Sequence, residues 1–219
     1  MTHPSRQYLI DDLSMQESWR LFKIMAELVD GFETLGEVGP AVSIFGSART
    51  KPGEPWYETT ETLAGLLVKA GYGVITGGGP GLMEAANKGA AAAGGSSVGL
   101  HIHLPLEQAA NEFINVRCDF RYFFTRKLMF VKYAMAYIAM PGGFGTLDEL
   151  FEALVLIQTR RIKPFPIVLM GSEYWKGLEE WLRSRLVEDG NLSPSDLELF
   201  SIMDSPEEVV HFIRRHVII

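Results

Sequence analysis

Twice in this sequence a short apolar run ends in a glycine-rich turn and passes directly into a helical pattern. The first is Val74-Ile75-Thr76 followed by Gly77-Gly78-Gly79-Pro80-Gly81-Leu82-Met83-Glu84. The second is Ala136 to Met140 followed by Pro141-Gly142-Gly143-Phe144-Gly145-Thr146-Leu147-Asp148-Glu149. A buried strand handing over to a helix through glycines is the βα unit of a parallel sheet, and its turn presents backbone N–H groups to an anion. Each turn is followed by a carboxylate on the early part of its helix. Two such turns with two acids point to a nucleotide whose sugar is attacked as well as held.

The surrounding pattern supports a sheet covered on both faces. Apolar runs at Ala41–Phe45, Val74–Thr76, Ser97–Ile102, Ala136–Met140 and Pro166–Met170 read as strands, with a further strand at Phe113–Val116 and an edge strand at Phe200–Met203. Helical periodicity falls between them, at Trp56–Lys69, from the first glycine turn through Ala93, and at Arg121–Tyr133, Thr146–Thr159 and Tyr174–Val187. Ser193-Pro194 opens a short helix, and Ser205, Pro206 and Glu208 open the last one. The expected fold is α/β: a three-layer Rossmann-like fold whose central, mainly parallel sheet is flanked by helices. Ahead of it, Ser14 and Glu17 form a capping box for an amphipathic helix carrying Trp19, Phe22, Met25, Ala26, Val29 and Phe32. That helix either covers the sheet or packs on a partner chain. The expected division is a leader and amphipathic helix over 1–36 and a single catalytic domain over 37–219.

The 219 residues suffice for one sizeable core, and 47% apolar with 21% charged residues is a globular composition. A net charge of −7 without a basic block argues against a nucleic-acid surface, and Trp19, Trp56, Trp175 and Trp181 lack the basic setting of a base-stacking platform. No apolar run approaches the ~18 residues of a membrane span, and the N-terminus lacks a signal-peptide core, so a cytoplasmic protein without membrane attachment is expected. The lone Cys118 excludes an intrachain disulfide and reads as a small buried hydrophobe.

The turns are not those of the common nucleotide motifs. Phe45-Gly46-Ser47-Ala48-Arg49 lacks the G-x-G-x-x-G spacing, and no Gly-Lys-Ser/Thr follows either glycine cluster. Gly46 and Ser47 still suit part of a nucleotide, with Arg49 near its phosphate. Glu84 is either an ordinary capping acid or an acceptor for ribose hydroxyls. Gly142, Gly143 and Gly145, with the Thr146 hydroxyl, suit a monophosphate. Glu149, one turn into the helix, can face the sugar. Arg126 and Lys127 are either a solvated pair or a pair at the ligand edge, with Arg126 orienting Glu149 or holding substrate. His101 and His103 alternate on a strand, without the neighbouring ligands that would mark a metal site.

These residues together resemble the Lonely Guy (LOG) family of phosphoribohydrolases, many of them labelled possible lysine decarboxylases. The resemblance runs from about Ala41 to the last helix. Pro141 to Glu149 matches the family's P-G-G-x-G-T-x-x-E in full, Arg126-Lys127 stands where its Arg-Lys pair stands, and Gly77 to Glu84 matches its first glycine loop. The N-terminal helix is similar to the extra segment of the longer members. The resemblance implies hydrolysis of the N-glycosidic bond of a purine nucleoside 5′-monophosphate, cytokinin-type or AMP, to free base and ribose 5-phosphate. It implies Arg126 and Glu149 as the catalytic pair. Substrate contacts are expected from Gly46, Ser47, Gly79, Met83, Glu84, Lys127, Gly142, Gly143, Gly145 and Thr146. No cofactor and no metal are expected, and the only ligand is a small-molecule nucleoside monophosphate. A homodimer or higher homo-oligomer, with the site near the subunit boundary, is implied as well. Family members often carry Asn where His101 stands, which leaves the base preference open. The decarboxylase label lacks a chemical basis, since no lysine carries a motif for a pyridoxal phosphate Schiff base. The alternative reading is a nucleotide or molybdopterin-cofactor carrier that binds without turnover.

Overall fold

The computed structural model describes residues 17–103 and 109–217; the leader, including Ser14 of the expected capping box, lies outside them. In chain order the elements are α1 (Glu17–Leu35), β1 (Ala41–Phe45), α2 (Pro55–Lys69), β2 (Gly73–Thr76), α3 (Leu82–Ala92), β3 (Ser97–Ile102) and β4 (Val116–Phe120). There follow α4 (Phe123–Tyr133), β5 (Ala134–Ala139), α5 (Phe144–Gln158), β6 (Ile167–Met170), α6 (Ser172–Trp181), β7 (Ser201–Met203) and α7 (Pro206–His216). A π-helical turn, Leu182–Val187, extends α6, and a 3-10 helix, Pro194–Leu199, starts from a complete capping box between Ser193 and Asp196. No described helix is long and apolar enough to cross a membrane.

The strands form one seven-stranded sheet in the order β4-β3-β2-β1-β5-β6-β7, every pair parallel. Alternation along the strands feeds two cores. Val42, Ile44, Val74, Ala136, Ile138, Val168 and Met170 pack under α2, α3 and α7. Ala41, Phe45, Ile75, Tyr137, Ala139, Ile167 and Leu169 pack under the other layer, which includes α4, α5 and α6. Burial on both faces explains why β1, β2, β3 and β6 read as unbroken apolar runs. The chain moves outward from β1 through β2, β3 and β4, then returns to the other side of β1 as β5. The turns after β1 and β5 therefore diverge, and a crevice opens beyond their carboxyl ends.

One strand differs from its expected position. The apolar stretch Phe113–Val116 is loop up to its last residue, and β4 begins at Val116. Its buried residues are Cys118 and Phe120, while Arg117 and Asp119 point outward. β4 is the sheet edge, so it follows the period-two pattern of a half-covered strand rather than a continuous apolar run. The thiol of Cys118 is buried as expected; burial lifts its pKa, a Thr34 hydrogen bond opposes, and the result is about 11.

α1 packs on β4 and α4. Gly31 permits the approach, since a Cβ there would meet Met129 Cε at 2.7 Å. Its inner residue Leu35 joins the core, while Trp19, Phe22, Met25 and Val29 remain more than half exposed. The helix thus covers the sheet edge with one side and leaves an apolar side open.

The first glycine turn is held by a buried polar network. Thr76 Oγ1 accepts from Gly78 N (2.9 Å) and donates to Asn87 Oδ1 (2.6 Å). Asn87 Nδ2 donates to Ser97 Oγ and Val98 O, and Asn111 Nδ2 reaches both Gly79 O and Asn87 Oδ1 at 3.0 Å. Gly78 has φ +73°, a left-handed conformation that glycine adopts without strain. Asn87 is fully buried at the centre of these bonds. Replacing it with Ala strands several buried partners at once, and we expect Asn87→Ala to cost about 3 kcal/mol in urea unfolding, with a wild-type slope.

Candidate active site

The crevice at the switch in strand order is a cleft of about 910 Å³. The turns after β1, β2 and β5 line it, together with the end of β3, one face of α4, and the start of α5. Of the residues singled out from sequence, Arg126, Glu149, Gly46, Ser47, Gly79, Met83, Gly142, Gly143, Gly145 and Thr146 all line this one cleft. Backbone bonds fasten its turns together: Ser47 N donates to Pro141 O (3.0 Å), Leu82 N to Ser47 O (2.9 Å), and Met140 N to Phe45 O (2.8 Å).

The glycines of the second turn fall into two kinds. A Cβ on Gly142 would collide with Thr146 Oγ1 and come within 3.0 Å of Ser47 N, so packing requires glycine there. A Cβ on Gly143 or Gly145 would meet nothing within 4 Å. Packing does not demand glycine at these two positions; its effect is to leave backbone bare toward the cleft. Gly143 is the N-cap of α5; Thr146 N donates back to Gly143 O at 3.0 Å, which leaves Phe144 and Gly145 to supply the first N–H groups of that helix. Such groups lack partners up the helix and carry its positive end, a setting that attracts an anion. Tyr174 supports the turn from α6 by donating to Gly142 O at 2.6 Å.

Glu149 sits one turn into α5, 7% exposed. Burial raises its carboxyl pKa above the ordinary 4.5, with Lys127 and Arg126 opposing and Glu152 and Asp148 reinforcing. Its Oε1 is 3.5 Å from Lys127 Nζ, and its buried Oε2 makes no hydrogen bond among the described residues. Arg126 is anchored by backbone: Nε donates to Leu100 O at 2.7 Å, and a second nitrogen reaches Gly77 O at 3.4 Å. Gly77 has no side chain because that guanidinium and Met83 Sδ occupy the space a Cβ would need. Burial lowers the Arg126 pKa, and the charge of Glu149 works against it.

Two expected substrate contacts point elsewhere. Glu84 does not line the cleft; half-buried between α2 and α3, it accepts a hydrogen bond from Tyr57 OH at 2.7 Å. Met83, one residue earlier and about 100° round the helix, takes the cleft-facing direction. The Tyr57 pKa is raised by burial and by this carboxylate. Lys127 does not line the cleft either. It stands behind Glu149, 2.9 Å from Asp148 Oδ2 and 2.8 Å from Glu152 Oε2. Burial lowers its pKa, but these carboxylates outweigh that and leave it raised.

Other lining residues carried no signal in the sequence. Trp56, Phe123 and Tyr174 look like ordinary helix apolar positions, and Phe144, 91% exposed at the lip, fills the variable position of the motif. His101 is buried at the cleft with Nδ1 3.4 Å from Asp119 Oδ1, and its ring meets His103 edge-on. Burial raises the pKa of Asp119, but Arg117 chiefly, with both histidines, leaves it lowered. Among the described residues no three His, Cys, Asp or Glu side chains gather as a metal site would require.

A family model described as possible lysine decarboxylase matches residues 83–213. The chain belongs to this family, the LOG family of its motifs. The cytokinin riboside 5′-monophosphate phosphoribohydrolase LOG1 of Arabidopsis thaliana is 33% identical over 93 residues, covering 42% of this chain and 43% of that protein. LOG5 of the same plant is 27% identical over 176 residues, covering 77% and 75%. An uncharacterized protein of Archaeoglobus fulgidus is 31% identical over 131 residues, covering 58% and 83%. The chain thus spans less than half the length of LOG1 in that match. Among solved structures, the molybdenum cofactor binding protein of Rippkaea orientalis superposes with a TM-score of 0.58 at 22% identity, covering 80% of this chain and 96% of that one. The molybdenum cofactor carrier protein of Chlamydomonas reinhardtii does so with 0.56 at 20%, with the same coverage. These two share the fold.

The LOG motif therefore contains glycines with distinct duties. Gly142→Ala is expected to lower the melting temperature, because Thr146 and Ser47 must move. Gly145→Ala, in an open helical position, should leave it unchanged or raise stability by up to about 1 kcal/mol in the same thermal melts.

Proposed function

We propose that this LOG-family chain hydrolyses the N-glycosidic bond of a purine nucleoside 5′-monophosphate, AMP or a cytokinin-type nucleotide, yielding free base and ribose 5-phosphate. The observation that carries the reading is Glu149: a buried carboxylate with an unbonded oxygen, in the same cleft as a bare glycine turn at a helix start. The 5′-phosphate docks on Gly143, Gly145 and Thr146, with Gly46 and Ser47 beside it. Held there, the ribose presents its anomeric carbon to Glu149 and Arg126. As the C1′–N bond lengthens, positive charge grows on the ribose and Glu149 stabilises it. Glu149 then takes a proton from the attacking water, whose oxygen bonds to C1′, and the base leaves with the bonding pair and takes up a proton from solvent water. Lys127 keeps the Glu149 carboxyl ionised, and Arg126 fixes the cleft wall against which the base departs.

A carrier reading takes its support from the two molybdenum cofactor proteins that share the fold. Glu149 favours hydrolysis, since a carrier of phosphorylated cofactor gains nothing from a buried carboxylate near the anion. A decarboxylase reading wants a lysine at the cleft, and none of the described lining residues is a lysine. The hydrolase reading brings with it a cytoplasmic location. It also brings a homodimer: Phe123, Phe124 and Leu128 of α4 are exposed beside the apolar side of α1, and Phe123 lines the cleft, so a second copy on this face would border the site.

Chromatography of free base released from AMP tests the chemistry. Glu149→Ala should lower kcat by ~10²-fold or more, equivalent to ~2.7 kcal/mol. Nucleotide bound tightly by wild type with no base released would establish the carrier instead. The active form of Glu149 is ionised and its pKa is raised, so kcat should fall as pH drops, with an inflection above 4.5. Lys127→Met removes an opposing positive charge and should move that inflection to higher pH. In light scattering, wild type should show twice the chain mass and Phe124→Glu/Leu128→Glu the mass of one chain.

A further inference from the structure

α1 contributes nothing to the lining of the cleft among the described residues, yet it holds the element that delivers Arg126. The carboxylate of Glu27 receives Arg121 N at 2.9 Å, Tyr122 N at 3.4 Å and Thr125 Oγ1 at 2.9 Å. These donors lie 94 to 98 residues away in sequence and together form the turn from β4 into α4. Tyr122, the N-cap of α4, gives no side-chain cap of its own. A helix start without a local cap is stabilised when a carboxylate supplies acceptors and negative charge at its positive end. Here the carboxylate comes from a different helix.

We propose that Glu27 is a positioning residue for the reaction, gripping the β4–α4 turn so that Arg126 is held at the cleft; this rests on the hydrolase reading above. Thr125 is buried between Glu27 and Tyr122 O, 2.7 Å from the latter, and is the residue directly before Arg126. Arg126 N closes the first turn on Tyr122 O at 3.3 Å. Its guanidinium then spans to Leu100 O on β3 and Gly77 O after β2, bonds that fix both the depth and the rotation of α4. Release of the turn lets α4 slide or rotate, and the guanidinium loses that reach. Two further contacts tie the same helices, Arg20 over the Tyr122 ring at 5.8 Å and Gly31 against Met129. The N-terminal helix and the cleft are on this account one functional unit, although the sequence divides them at residue 36.

Glu27→Ala and Glu27→Gln, assayed with AMP, test the proposal. Glu27→Ala should lower kcat at least ~10-fold with KM changed less than ~3-fold, because misplacement of a reacting group costs rate while the phosphate turn stays intact. Glu27→Gln keeps an acceptor oxygen and should recover most of kcat. Hydrogen exchange provides an arm that needs no turnover: amides 121–126 should exchange faster in Glu27→Ala while β1 and β5 keep wild-type protection. If wild type releases no base, the hydrolase reading fails and the exchange arm alone judges the grip. Wild-type kcat in Glu27→Ala, a change confined to KM, or protection lost evenly across the sheet would each overturn the proposal. Should Glu27→Ala not fold, Thr125→Val removes one bond of the grip and should show a smaller fall in kcat with local exchange at 121–126; wild-type values in both would also overturn it.

Discussion

Ser47 joins the three glycine turns of the cleft through its backbone alone. Its N–H donates to Pro141 O after β5, and its carbonyl accepts from Leu82 N at the start of α3. The turns after β1, β2 and β5 diverge because the chain leaves β1 in both directions across the sheet. These two bonds hold them at fixed spacing. The consequences are visible in the glycines. Gly81 sits at φ +72° with Ser47 O and Ala48 occupying the place of a side chain, and Gly142 is likewise filled by Thr146 and Ser47. Backbone at Gly81, and at Gly142 the Thr146 side chain with Ser47 N, use up these positions, whereas Gly143 and Gly145 are presented bare.

Electrostatics on the far side of the cleft follows from burial. A carboxylate as enclosed as Glu149 must be compensated, and Lys127 and Arg126 do so from α4. Lys127 is itself surrounded by Asp148, Glu149 and Glu152, one cation among three carboxylates, so the patch behind the site stays net negative. Arg126 takes the opposite course and is anchored by carbonyl oxygens rather than by an acid. The adjacent Arg and Lys of the family motif thus have separate tasks: one faces the cleft, the other tunes the acid beside it.

Both glycine turns, the strands at Ala41–Phe45 and Ser97–Ile102, and the residues lining the cleft from Pro141 to Glu149 were legible because each depends on neighbours close in sequence. Glycine clusters, unbroken apolar runs and helix starts are local signals. What the sequence left open or displaced depends on distant partners. Glu84 turns to Tyr57 across two helices, Lys127 turns to α5, and β4 is shifted because it lies at the edge of a sheet whose order no local pattern encodes. The apolar periodicity of α1 was plain; that one side would lie on α4 and the other stay open was not.

The sequence by itself determined a parallel α/β sheet with two glycine turns between strand and helix and the family that bears them, since 3.6- and 2-residue periodicities and glycine placement are fixed along the chain. Tertiary structure alone decided which charged groups share the cleft, which of them meet as Glu149 and Lys127 do, and that Glu27 reaches the turn before Arg126. Those contacts are made between residues brought together by the crossover of β5 to the far side of β1 and by the docking of α1, and distance in space is not written in distance along the chain.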